Sequence, residues 1–247
     1  MTTLYKKKFM AINVNTIYQR VLAIAIKEQR GYITPQEFNV FANAVQVEIF
    51  EQYFYDLGQF IRRQGNDTRH ADNVDSIEEK ISLFEKYDAS LTYNAVNNSY
   101  DLPSDLYKMS SVTFNSVEVE NHSLKDLKYI LSSNLTLPTN NQPIYIKNSE
   151  GIIVYGSKTT SPYYENKTSG VTISYIAKPA TVKWGFIMVN NEPLYNADTS
   201  INFKLHNSEQ RNLVNKILEL AGISMKAVDV YQAADKEDLE NLQNEKI

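Results

Sequence analysis

Apolar residues recur every three or four positions through the first third of the chain, which is the spacing of one helix face. The first run follows Asn13 and consists of Val14, Ile17, Val21, Ile24 and Ala25. We expect this helix to end at Gly31, and a later helix to start near Asn73 or Asp75. The later helix would bury Ile77, Ile81 and Phe84.

The strongest helix start in the sequence is Thr34-Pro35-Gln36-Glu37. The Thr34 hydroxyl can accept a hydrogen bond from the Glu37 amide while the Glu37 carboxylate reaches back, and Pro35 occupies a position that needs no amide donor. The helix that follows has Phe38, Phe41, Val45, Ile49, Phe54, Leu57 and Phe60 to bury. Its pattern extends for about 30 residues to Gly65, which is long for a globular helix.

The middle of the chain, from about Leu91 to Leu205, has a different pattern. Its apolar runs are short, proline interrupts them, and β-branched and aromatic residues alternate with polar ones, which indicates strands. The alternation is clearest in 171–176 and 201–205, and further strands are expected at 112–119, 143–147, 151–156 and 186–189. One short helix, Ser123 to Leu131, interrupts the strands.

The chain returns to a helical pattern after residue 205. Ser208 can cap a helix that Gly222 closes. This helix carries Leu213, Val214, Ile217, Leu218 and Ala221. The last segment, 226–247, has only Val228, Tyr231, Leu239 and Leu242 as its apolar stripe among many charged residues. So thin a stripe is typical of a helix that docks onto a partner, and equally of a frayed tail.

Helices at both ends with strands between them predict an α+β fold. We expect the N-terminal part, 1–88, and the C-terminal part, 206–247, to pack as one helical bundle, with the last residues extending as a partner-binding arm. Residues 89–205 would be inserted as an antiparallel β domain, either a sandwich or a small barrel. The residues expected to join the terminal helices are Phe38, Phe41, Val45, Ile49, Leu213 and Ile217.

Composition and charge exclude several classes of protein. The 247 residues carry a formal charge of -4 and 43% hydrophobic side chains, which is typical of a folded globular chain and not of a general nucleic-acid binder. There is no cysteine, which excludes disulfides, thiolate nucleophiles and Cys-ligated metal sites. The N-terminus lacks the apolar core of a secretory signal, and no segment approaches the length of a membrane span. We therefore expect synthesis in the cytoplasm and no membrane partner.

No pattern of reactive residues predicts a catalytic, metal or cofactor site, so we expect a protein that is not an enzyme. The three histidines, His70, His122 and His206, have neither a second histidine nor a close carboxylate at metal-ligand spacing. The segment 151–159 resembles a phosphate-binding loop with one extra residue. Its apolar interior and the Thr-Thr-Ser-Pro that ends it favour a strand and turn. The G-x-S-x-G signature of many serine hydrolases is missing.

A cluster of cations lies near the end of the long helix and consists of Arg62, Arg63 and Arg69. These side chains could face DNA or an acidic partner. The alternative, which we favour, is a solvated helix end at which cations complement the helix dipole.

Four stretches of the chain resemble one protein family. They are YITPQEFNVFANAVQVEIFEQYF at 32–54, YDLPSDLYKMSSV at 100–112, YIAKPATVKW at 175–184 and INFKLHNSEQRNLVNKILELAGI at 201–223. Together they look like head–tail adaptor ring proteins of short-tailed phages, with the closest similarity to those of crAss-like phages and a more distant one to the tail-tubular adaptors of T7-like phages. The resemblance runs through almost the whole chain in the same order.

The resemblance implies a virion structural protein in the tail, below the portal vertex. The chain would form a homo-oligomeric ring, usually of twelve copies, that docks beneath the portal protein and contacts other tail ring or tail-hub proteins. The ring would line the channel through which double-stranded DNA passes without specific binding. A net acidic lumen would repel the DNA and let it slide.

The same resemblance directs attention to a set of contact residues. The residues expected to contact a neighbouring subunit or the portal are Tyr231, Leu239 and Leu242 in the C-terminal arm, together with Lys178 and Pro179. Arg62, Arg63 and Arg69 are contact candidates under the less favoured interpretation, in which the cation cluster faces a partner. Trp184, the only tryptophan, lies in the same family-like segment as Lys178. We expect the Trp184 side chain in the core of the β domain.

Two other functions stay open on the sequence alone. A virion-associated hydrolase would need a concave site with perturbed carboxylates, which a sequence pattern does not display. A tail-tip binding module would bind a glycan through the β region 89–205. The long helical N-terminal part counts against this module, because tip binders are typically β-rich throughout.

Overall fold

The computed structural model describes residues 11–27, 32–62, 68–157 and 164–224. Within them the chain forms five α-helices: α1 Val14–Lys27, α2 Pro35–Arg62, α3 Thr68–Ser82, α4 Leu124–Ser132 and α5 Gln210–Ser224. The strands are β1 Glu85–Ser90, β2 Thr92–Asn94, β3 Ser99–Asp101, β4 Leu106–Phe114, β5 Val117–Glu118, β6 Glu120–Asn121, β7 Ile144–Lys147, β8 Ile152–Ser157, β9 Tyr164–Asn166, β10 Val171–Ala177, β11 Phe186–Val189 and β12 Glu192–Tyr195. The predicted α+β class is confirmed, and no sheet of the described residues closes into a barrel.

The chain divides into two compact units. Met1–Leu83 and Pro179–Ile247 form one, here called the helical unit, and Phe84–Lys178 form the other, called the β unit. The β unit therefore ends well before residue 205, the boundary expected from the sequence. Residues 179–205 belong to the helical unit because side chains of α2 bind their backbone.

Helix α2 begins at the predicted capping box. The Glu37 amide donates to the Thr34 hydroxyl at 3.3 Å, and the Thr34 amide donates to the Glu37 carboxylate at 2.9 Å. Because this carboxylate accepts from both the amide and the hydroxyl of Thr34, the pKa of Glu37 lies below its usual value. The described helix ends at Arg62, shortly before the expected Gly65.

The core predicted for the terminal helices is present in the helical unit with one exception. Its buried members are Phe38, Val45, Ile49, Leu213 and Ile217. The exception is Phe41, which is only partly buried. The buried row of α2 passes through Ala42, and a residue one position away points about 100° to the side.

Asparagine side chains of α2 hydrogen-bond to the backbone of residues 179–205. This stretch, in which the chain comes back from the β unit to the helical unit, is called the returning chain below. Asn43 accepts from the Val182 amide at 2.7 Å and donates to the Val182 carbonyl at 2.8 Å. Asn39, one turn earlier, accepts from the Trp184 amide at 2.7 Å and donates to the Trp184 carbonyl at 3.2 Å. Each carboxamide thus pairs with one residue of the returning chain through both of its polar atoms, much as a neighbouring strand would.

Gln46 continues this row of amides along α2. Its Nε2 donates to the Ala180 carbonyl at 2.8 Å, and its Oε1 accepts from the Lys204 amide at 3.0 Å. Gln46 is almost completely buried, and both of its polar atoms are paired. Asn39, Asn43 and Gln46, called the amide row below, therefore bind alternate residues of 180–184 and also reach the segment before α5.

Trp184 lies in the core of the helical unit, so the prediction that it belongs to the β-domain core is wrong. It is 2% exposed, and its indole Nε1 donates to the Asn15 side chain at 3.0 Å. Its ring centroid is 4.5 Å from that of Tyr18 in α1. The amide row sets this position, because it binds the Trp184 backbone to α2.

Residues 201–205 do not form the strand that their alternation predicts. The described pairing consists of isolated bridges, Phe203 with Ile12 and Ile201 with Lys183. Phe203 and Leu205 are nevertheless buried, whereas Ile201 is 44% exposed. From Phe203 onwards the alternating pattern therefore records burial on one side of an extended segment without a ladder of strand hydrogen bonds.

Helix α5 starts and ends differently from the prediction. A short 3-10 turn, Asn207–Glu209, precedes it, and His206 takes the N-cap position expected of Ser208. Buried Glu209 forms an ion pair with Lys80 of α3 at 2.8 Å, which ties the C-terminal helix to the N-terminal half of the unit. Gly222 does not close the helix, which continues to Ser224.

The β unit is a sandwich of two sheets. One sheet has the order β1-β10-β4-β5, and the other has the order β2-β3-β8-β7-β6 with β9 added beside β8. Their facing side chains share one apolar cluster, which includes Val112, Ile173, Tyr100 and Val154. Burial in this cluster raises the pKa of Tyr100 to about 12. The pairing of β6 with β7 is parallel, and α4 supplies the crossover connection that a parallel pair requires.

We expect Phe38→Ala to lower the free energy of unfolding of the helical unit by about 3–5 kcal/mol, because Phe38 is fully buried. Phe41→Ala should cost only about 1–2 kcal/mol. Denaturant unfolding followed by Trp184 fluorescence measures both, since the only tryptophan reports on this unit. Equal losses for the two variants would contradict the packing.

We expect Asn43→Ala to destabilise the helical unit by about 1–3 kcal/mol, because it leaves the amide and carbonyl of buried Val182 without their partners. The same fluorescence measurement applies. Gln36→Ala, at an exposed position of the same helix, is the control and should change stability little. A loss for Asn43→Ala no larger than that of the control would show that the amide row contributes little.

Candidate interaction surfaces

The described residues include only part of the predicted partner contacts. Arg62 is the exposed last residue of α2. Lys178 is exposed and Pro179 is partly buried, and the chain passes from the β unit to the helical unit between them. The other predicted contacts lie outside the described residues or have side chains that do: Arg63, Arg69, Tyr231, Leu239 and Leu242.

A charged cluster adjoins Lys178 at the end of the β unit. The Lys178 amide donates to the Asp105 carbonyl at 2.7 Å. The Asp105 carboxylate accepts from Lys86 Nζ at 2.6 Å and from the Tyr175 hydroxyl at 2.9 Å. The hydrogen bond from Lys86 is the main cause that lowers the pKa of Asp105, and the same bond raises the pKa of Lys86. This cluster joins β1, β10 and the segment before β4.

The described histidines have structural contacts. His206 accepts from the Ser208 amide at 3.3 Å as a cap, and the His122 ring lies 3.6 Å from the Glu120 carboxylate. The His70 side chain is outside the described residues. The described part of the chain holds no group of three or more side chains placed to bind a metal ion. None of its helices combines the length and apolar character needed to cross a membrane.

The segment that resembles a phosphate-binding loop forms a strand, as predicted. Ile152–Ser157 is strand β8, paired with β7 on one side and β9 on the other. Lys158, the lysine of the near match, lies outside the described residues. Extended backbone within a sheet cannot present the consecutive amides that a phosphate-binding loop needs.

Strands β11 and β12 form a two-stranded hairpin on the helical unit, at residues 186–195. Asn190 and Asn191 make its turn with φ values of 49° and 68°. A two-residue hairpin turn requires these left-handed conformations, and asparagine tolerates them. Phe186 and Tyr195 are paired at the end of the hairpin opposite the turn, which is called its root below. Their rings lie 5.9 and 5.8 Å from the ring of Trp184.

Gly185 lies directly before the hairpin, at a position that has no room for a side chain. A Cβ at this position would lie 2.1 Å from the Thr199 hydroxyl oxygen and 3.0 Å from the Asn196 carbonyl oxygen. The Gly185 amide donates to the Ser200 hydroxyl at 2.9 Å. A residue without a side chain is therefore required where the two ends of the hairpin approach each other.

The outer part of the hairpin exposes apolar side chains on both faces. Ile187, Val189 and Leu194 share one face, and Met188 lies on the other; their exposed fractions run from 41% to 57%. No third strand pairs with β11 or β12 in the described residues. Pro193 removes one amide donor from β12. An isolated hairpin with this surface has the features of a docking element.

A second exposed surface belongs to α4 of the β unit. Leu127 on its inner side packs with Ile144 and Ile146 of β7. Its other side lines a shallow groove of about 730 Å³. This surface, called the α4 outer face, consists of Leu124, Lys125, Lys128, Tyr129 and Ser132.

The sequence predicts one element of each surface but not the surface itself. It predicted the strand 186–189 and missed its partner, although two adjacent asparagines, a residue type that tolerates the left-handed conformation of turns, follow that strand. It predicted the helix Ser123 to Leu131, close to the observed Leu124–Ser132 with Ser123 as N-cap. It did not identify the outer face of that helix, because one face of a nine-residue helix is recognised as a surface only when the opposite side is known to be covered.

The chain matches no family model and no curated protein.

We expect acid to weaken the β unit through Asp105. Because the folded state lowers the pKa of Asp105, this carboxylate contributes stability above its unfolded pKa, and the contribution is lost as the pH falls through the lower folded value. Asp105→Asn should therefore lower the melting temperature of the β unit at pH 7, and the difference from the parent chain should shrink towards pH 2–3. Calorimetry of the whole chain measures this. Glu118→Gln, at an exposed carboxylate of the β unit, is the control. A difference that stays constant with pH would contradict the role of Asp105.

Proposed function

We propose that this chain is a virion structural protein that forms a head–tail connector ring. In this proposal the ring docks below the portal, joins the portal to the tail and lines the channel for double-stranded DNA. The family resemblance of the four sequence stretches suggests the assembly, and the proposal gives the chain no enzymatic role.

The observation that carries the proposal is the exposed apolar hairpin at 186–195. Ile187, Met188 and Leu194 are each at least half exposed and lie together on one short hairpin, and such a grouping of exposed apolar side chains is typical of an interaction site. Their strands also leave backbone edges unpaired within the described residues. A hairpin on a well-packed root suits a neighbouring subunit, because the root holds it in one orientation before contact.

The polar clusters of the described residues also suit a structural protein. Asp105 pairs with Lys86 and Tyr175, and Glu209 pairs with Lys80. The amide row satisfies backbone groups of the returning chain. Each of these groups has a partner within the fold, so their placement is explained without a substrate.

The test is the mass of the purified chain alone and after mixing with the portal protein of the same virus, followed by particle imaging. We expect a closed ring on the portal. Leu194→Lys should reduce the ring fraction about tenfold or more, because a buried apolar contact would be replaced by a charge.

The control is Glu192→Lys, which adds a lysine to the same face of the same strand without removing an apolar side chain. It should assemble like the parent chain, and Trp184 fluorescence should show that both variants are folded. A parent chain that ignores the portal would overturn the proposal. Glycan binding and hydrolase activity would then be the functions to assay.

A further inference from the structure

We infer that the α4 outer face binds the C-terminal segment 225–247 of a second copy of this chain. The inference rests on the ring of the proposed function, since it names a contact that joins neighbouring copies. It uses a surface of the β unit, whereas the proposed function is carried by the hairpin of the helical unit.

The α4 outer face combines apolar and cationic side chains. Leu124 and Tyr129 are 66% and 75% exposed. Lys125 and Lys128 are also exposed, and neither forms an ion pair with a described residue. The nearby Asp126 carboxylate instead accepts from the Ser123 hydroxyl at 2.6 Å, as part of the helix cap. The face therefore offers an apolar patch with two lysines that have no ion-pair partner among the described residues.

This combination selects an acidic amphipathic peptide over a nucleic acid. A phosphate backbone would match Lys125 and Lys128. It would leave Leu124 and Tyr129 against charged oxygens and water, which gains nothing from their apolar surface. A peptide with carboxylates beside apolar side chains covers both kinds of group at once.

The segment 225–247 has this complementary composition. It carries six carboxylate side chains against three lysines. Leu239 and Leu242 have the spacing of one helix face, and Asp235 and Asp238 fall beside that row in the same pattern. As a helix, 235–242 would be about 12 Å long, close to the length of the nine-residue α4.

The length of the segment permits contact with another copy. It starts directly after Ser224, the last residue of α5, and contains 23 residues. At full extension such a segment spans about 75 Å. The α4 outer face and the segment are different parts of the chain, so each copy could give its segment to one neighbour and receive another. Such heterologous contacts close into a ring when the rotation between copies allows it.

Single-cysteine chains test the contact, because the natural chain has no cysteine and every cross-link can be assigned. Ser132→Cys places a thiol on the α4 outer face, and Asn241→Cys places one between the two leucines of the segment. The two variants are mixed as full chains, with and without portal, and treated with a short bis-maleimide reagent. We expect a cross-linked pair of chains. Ser90→Cys, at an exposed position of β1, replaces Ser132→Cys in the control and should give no pair with Asn241→Cys.

Charge reversal makes the test specific. Adding Lys125→Glu and Lys128→Glu to the Ser132→Cys chain should lower the yield of the pair about tenfold, since two attractions become repulsions. Adding Asp235→Lys and Asp238→Lys to the Asn241→Cys chain should restore the yield with the reversed face and lower it with the natural one. Failure of this exchange would overturn the inference.

Two further outcomes would also overturn it. The mixture could give no pair, or a chain with both cysteines could cross-link only within itself, which would place the segment on its own copy. Ring formation on the portal is scored separately by mass. Rings without the cross-link would overturn the inference and leave the proposed function standing. A cross-link without rings would leave the contact between copies standing and overturn the proposed function.

Discussion

The backbone amide and carbonyl groups of the returning chain need hydrogen-bond partners inside the helical unit, and the amide row supplies them. Buried amide and carbonyl groups need partners, yet a helix uses its own backbone groups internally and can offer only side chains. Asn39, Asn43 and Gln46 supply them at spacings of one turn, so the helix presents an edge that resembles a strand. Trp184 is then placed against α1, and its ring becomes the base of the hairpin. The exposed surface at the hairpin depends in this way on three amides in the core.

Asparagine has several distinct tasks in this fold. The chain has 25 asparagines, and their roles follow from a short side chain that carries both a donor and an acceptor. Asn13 accepts from the amides of residues 15 and 16 at the start of α1. Asn190 and Asn191 adopt positive φ in the hairpin turn. The same residue type therefore caps a helix, turns a hairpin and pairs with extended backbone, according to its surroundings.

The two candidate surfaces differ in a way that matters for assembly. The hairpin is apolar with open strand edges, whereas the α4 outer face mixes apolar groups with two lysines. Apolar area contributes most of the free energy of an interface, and charge contributes more to the choice of partner. A ring proposed to join its own copies and also a portal needs both properties. Their location in separate units of the chain permits separate partners.

The sequence by itself determined the α+β class and the helix start at Thr34 and Glu37, because these depend on local spacing and on hydrogen bonds between residues three positions apart. It also identified most of the helical core, since periodic burial is visible along one helix. It misplaced Trp184, the end of the β unit and the pattern at 201–205, which look like strand signals in isolation. Only the tertiary structure assigned them to the helical unit, because the partners that satisfy this backbone are side chains of α2, more than 100 positions away in the sequence. The candidate surfaces needed the fold for the same reason: an apolar side chain marks an interface only when the rest of the chain leaves it uncovered.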